Sequence, residues 1–129
     1  MIQSKQPEQV KEYLDLDNLR NRFSGKSRLL FVMKQEFVAL QQSVIPEMQS
    51  AYAEQNRQAL KDLAHTLKGN AALIGALRVR EMSEQIEALT DEDQESLKKN
   101  IDQLPSVMRQ TIDYLEWFLE NRDSCLEDK

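Results

Sequence analysis

Leu30, Met33, Phe37, Leu40, Val44, Met48 and Ala51 recur at steps of three and four. Only a helix brings residues so spaced onto one face. Leu97, Ile101, Leu104, Met108, Ile112, Leu115 and Leu119 repeat the rhythm near the other end of the chain. Two long amphipathic helices are therefore fixed points for any fold. The chain has only three Gly and three Pro in 129 residues. That is too few turn formers for an all-β fold of this length, and it favours few, long elements. The length suits one domain with one core.

The remaining segments complete the pattern. Asp15, Asp17 and the run to Phe23 predict a short first helix ending near Gly25, a suitable C-cap. Leu60, Leu63, Ala64, Leu67, Ala71 and Ile74 mark a third helix that breaks at Gly75. Met82, Ile86 and Leu89 line a fourth. Thr90 to Asp93 form the next turn, with Asp91 or Asp93 as N-cap. Pro46 and Pro105 each remove a backbone donor from a long helix and are expected to kink or restart it. Short connections imply antiparallel neighbours. The expected fold is all-α, an antiparallel up-and-down four-helix bundle with a short extra N-terminal helix. Residues 1–13 read as a flexible arm, 14–121 as the bundle and 122–129 as a tail.

Charge narrows the function. The formal net charge of −5 and a pI near 5.0 disfavour a nucleic-acid partner. The acids crowd after Glu81, whereas Arg57, Lys61, Lys68, Arg78 and Arg80 cluster mid-chain, a basic patch suited to an anionic ligand. No stretch approaches the roughly 18 apolar residues of a membrane span, so a cytoplasmic chain without membrane association is expected. One Cys and one His, far apart, make no metal cluster. Ser24-Gly25-Lys26-Ser27 looks like the end of a phosphate-binding loop. However, Arg20 stands where that loop needs a Gly, and no strand precedes it. An ATP-dependent kinase activity is therefore not expected.

The only histidine carries the most information. At about 100° per residue, His65 lies roughly 140° from Leu60 and away from the apolar stripe of the third helix. Lys61 lies four residues before it and Lys68 three after, on the same face. Gln58 lies seven before. Gly69, Ala72 and Ala76 follow on that face, which would ordinarily carry long polar side chains. Gly inside a helix costs about 1 kcal/mol relative to Ala, so Gly69 beside an exposed His suits the close approach of a partner. A free imidazole titrates at about 6.5 and offers a neutral nitrogen nucleophile. A lysine one turn away neutralises phosphoryl oxygens, and phosphoryl transfer asks for little beyond position and charge. If the third and fourth helices turn near Ala76, Glu87 stands level with His65 and Glu84 one turn nearer the loop. Either carboxylate would then orient the ring.

The run Ala64-His65-Thr66-Leu67-Lys68-Gly69-Asn70-Ala71-Ala72-Leu73-Ile74-Gly75-Ala76 resembles the signature of histidine-containing phosphotransfer domains. In that signature a His is followed by Leu two on, Lys three on, Gly four on, small residues next and Gly ten on. The helix layout from about Asp15 to Leu119 is also similar to the family's. The resemblance implies that His65 accepts the phosphoryl group, Lys68 steadies it and Gly69 admits a receiver domain. It further implies a monomeric phosphocarrier that needs no cofactor of its own, the Mg²⁺ of transfer belonging to the receiver. Its partners would be response-regulator receivers and a hybrid sensor kinase. Two positions depart from the family's pattern. Asn70 is larger than the small residue often found there, and Glu87 replaces a neutral hydrogen-bonding side chain of some members. The rival reading is a helical module that binds a receiver or kinase without carrying phosphate.

Overall fold

A computed structural model of the chain describes residues 9–121. Among them are six helices: α1 (Val10–Tyr13), α2 (Leu16–Phe23), α3 (Ser27–Ala53), α4 (Arg57–Leu73), α5 (Leu77–Leu89) and α6 (Gln94–Glu120). The described residues form no strand, only one isolated bridge between Leu14 and Ala76. Side chains written into the sequence start the helices. Asp15 Oδ1 accepts the Asn18 N–H at 3.1 Å, and Asn56 Oδ1 accepts the Ala59 N–H at 3.1 Å. Asp93, one of the two expected caps, accepts the Glu95 and Ser96 N–H groups and the Ser96 hydroxyl. The Ser96 hydroxyl, followed by the backbone donors, holds the Asp93 carboxyl below its usual range. Gly25 and Gly75 both sit at φ +71°, where a side chain would strain the backbone, and each follows a helix. Gly25 is thus part of a helix exit, not of a phosphate loop.

The four long helices bury a common core. α3 packs on α4 and α6, and α5 packs on the same two. Leu30, Met48, Leu60, Leu67, Ile86, Leu97 and Leu104 are all but fully buried. Each contributes about 1.5–3 kcal/mol of apolar burial. Neither proline ends its helix, contrary to a restart. Buried Val44 and Met48 flank Pro46, and buried Leu104 and Val107 flank Pro105, so apolar packing on both sides outweighs one lost hydrogen bond. Pro46 and Pro105 line the same shallow depression with Gln41, Gln42 and Ile45.

Two features depart from the sequence pattern. The expected loose arm is helical in its last four residues, because Val10 is fully buried and α1 packs on α5 and α6. Lys34 is buried although it interrupts the apolar stripe. Its ammonium lies 3.3 Å from Glu116 Oε2 on α6 and 5.4 Å from the Phe31 ring centroid. Residues 1–8 and the expected tail 122–129, with Cys125, lie outside the described residues.

The turn between α4 and α5 is held from outside the helix pair. The Asp15 N–H donates to the Gly75 carbonyl at 2.9 Å, and the Arg22 guanidinium donates to the Leu73 carbonyl at 2.6 Å. α2 therefore clasps the end of the helix that carries His65.

Candidate functional site

α4 presents two faces. Leu60, Ala64, Leu67 and Ala71 point inward and are buried. His65 points outward, its side chain 70% exposed. The half-turn between these sets comes from the helical repeat alone.

A carboxylate from α5 meets the imidazole. Glu87 Oε2 lies 3.4 Å from His65 Nδ1, and Glu87 Oε1 lies 3.4 Å from Lys68 Nζ. Glu87, not Glu84, is thus the acid that reaches the ring. An ionised carboxylate only accepts hydrogen bonds, so the ring hydrogen belongs on Nδ1 facing it. In the tautomer with its hydrogen on Nδ1, the lone pair is on Nε2. The contacts are longer than ordinary hydrogen bonds and leave both side chains free to adjust.

Gly69 lies one turn beyond His65. A Cβ built there meets nothing within 4 Å. Nothing in this chain's own packing requires glycine at that position, and alanine would favour the helix by about 1 kcal/mol. Gly75 differs: its φ of +71° requires glycine, and a Cβ would only touch Leu19 and Asp15 at ordinary distances.

The other expected face residues divide. Ala72 is exposed beside Gly69; Gln58 is exposed near the start of α4, and its amide donates to Asp62 Oδ1 at 2.9 Å. Ala76 does not belong to that face. It is fully buried, because α4 ends at Leu73 and the wheel cannot be extended past Gly75. Ala76 instead bridges to Leu14. Lys61 is half-buried and paired with Asp91, in the turn after α5. Asn70 folds back on its own helix, donating to the Thr66 carbonyl at 2.9 Å.

Sequence reasoning did not single out Leu73, which is 55% exposed near Ala72 despite its size. An apolar residue just outside the inward stripe was the available signal. No helix among the described residues is long and apolar enough to cross a membrane.

The site brings together an exposed imidazole, a lysine ammonium and a carboxylate that meets both, with open space at Gly69. Residues 32–116 match the family model of the Hpt domain. No curated protein and no solved structure matches the chain.

Proposed function

The chain belongs to the Hpt domain family, and from that premise we propose that it relays a phosphoryl group in a two-component phosphorelay, through His65, between aspartates of receiver domains. The observation that carries this reading is an exposed imidazole with Lys68 and unfilled space at Gly69 on one helical face. In the forward step His65 Nε2 attacks the phosphorus of a receiver's acyl phosphate in line. The new P–N bond forms as the P–O bond breaks, and the electron pair returns to the aspartate carboxylate. Glu87 orients the ring through Nδ1–H and balances the positive charge it gains. Lys68 turns from Glu87 to the phosphoryl oxygens, where opposite charge is developing. A second receiver aspartate reverses these steps.

The four long helices, α3 to α6, are read as an antiparallel up-and-down bundle, a rigid support for the α4 face. Gly69, Ala72 and Gln58 belong to the surface a receiver covers, with Lys61 at its edge. The receiver supplies the Mg²⁺, and the chain works as a cytoplasmic monomer that takes its phosphate from other proteins. Transfer from a panel of Mg²⁺-bound, phosphorylated receivers to wild type and His65→Gln tests the reading. Acid-labile label on wild type alone is the expected result. Receiver binding with no transfer to wild type would instead favour a module that docks without carrying phosphate.

A further inference from the structure

Lys61 stands one turn before His65, so the two side chains share a face of α4. Its ammonium is paired with the Asp91 carboxylate, while Lys68 is paired with Glu87. Both lysines nearest the imidazole are thus neutralised at rest by acids of α5 and the turn that follows it. The hydrogen bond from Lys61 is the largest influence on Asp91 and holds its carboxyl below the usual range. Desolvation, the next largest influence, opposes it, and the charges of Lys61 and Arg57 lower it further in smaller measure. The pair is open to water, with 36% of the Lys61 side chain and 48% of the Asp91 side chain exposed. A pair so exposed is weakly held and easily exchanged.

Resting on the reading of His65 as phosphocarrier, we propose that Lys61 is a second cation for the phosphoryl group and Asp91 its resting counter-ion, exchanged when His65 is loaded. Charge drives the exchange. A phosphoryl group carries about −1.5 to −2 at neutral pH, more than the single charge of Asp91. The flexible four-carbon stem of lysine lets the ammonium turn between the two without moving α4. Asp91 is then a positioning residue: it touches neither the phosphate nor the receiver's aspartate, and it sets how readily Lys61 comes to them. Glu87 does the same for Lys68, so the two cations are released from two separate acids.

Phosphoramidate loads the whole chain without any partner. Its own P–N bond breaks, ammonia leaves, and the phosphoryl group bonds to His65 Nε2 with loss of a proton to water. Phosphorus NMR then follows the second ionisation of the bound group, which a nearby ammonium favours. Lys61→Ala should weaken that acid constant by about three-fold. Asp91→Asn should strengthen it by about two-fold, and this gain should largely vanish in the Lys61→Ala background. An equal Asp91→Asn effect in both backgrounds would mean that Asp91 acts by its own field, and the exchange would be wrong. An unchanged constant in Lys61→Ala would also overturn it. Wild type that takes up no phosphohistidine from the reagent would sink the carrier reading itself, and the exchange with it.

Discussion

The inward and outward faces of α4 are made of the same kind of helix and obey opposite rules. Inward, Leu60, Ala64, Leu67 and Ala71 are buried, and α4 packs on α3 and α5. Outward, size is withheld: Gly69 and Ala72 leave space that this chain does not fill, around an imidazole that is mostly in water. The inner face contributes stability through area removed from water. The outer face forgoes the helix stability that an alanine at Gly69 would add. Because the two lie half a turn apart, folding and transfer should be separable by mutation along one helix.

His65→Gln presses that separation hardest. It should abolish phosphoryl acceptance while the melting temperature stays within about two degrees, as expected for an exposed site; a large thermal loss would place His65 in the core. Leu67→Ala is the reciprocal test. It should cost about 3 kcal/mol, seen as a lower midpoint in urea, while protein that remains folded still accepts phosphate. Loss of transfer in fully folded Leu67→Ala would merge the two faces. Lys68→Ala should slow transfer about ten-fold, the equivalent of roughly 1.4 kcal/mol, with receiver binding retained; an unchanged single-turnover rate removes Lys68 from the step. Gly69→Ala gives the smallest effect and the sharpest one. It should raise stability by about 1 kcal/mol, since its Cβ enters open space, yet slow transfer or weaken receiver docking. Gain on both counts would show that no partner comes close there.

Much of this contrast is legible in the residues. The wheel of the third predicted helix separates His65 from Leu60, and Gly75 marks the end of that helix. Asp15, Gly25 and Asp93 stand at helix ends because capping depends on local hydrogen bonds that a sequence displays directly. What sequence hides is set by contacts from far along the chain. Val10 offers no periodicity in four residues, and its burial comes from α5 and α6. Lys34 interrupts the apolar stripe, and its partner Glu116 is brought to it from far along the chain. Ala76 looks like a continuation of the outer face only if the helix is drawn through a glycine that ends it. The choice between Glu84 and Glu87 depended on where the turn falls, and its position is fixed by α2 as well as by Gly75.

That clasp has a consequence for the order of assembly. α4 and α5 are joined by a short turn, so their pairing closes a small loop at modest entropic cost. The Arg22–Leu73 contact joins positions 51 apart in sequence and closes a far longer one. In kinetic terms the helix pair belongs to the early part of the search and the clasp to the late part. The face that carries His65 would therefore be drawn up before its end is fastened. Native-state hydrogen exchange should then find the amides of α2 opening at lower free energy than those of α4.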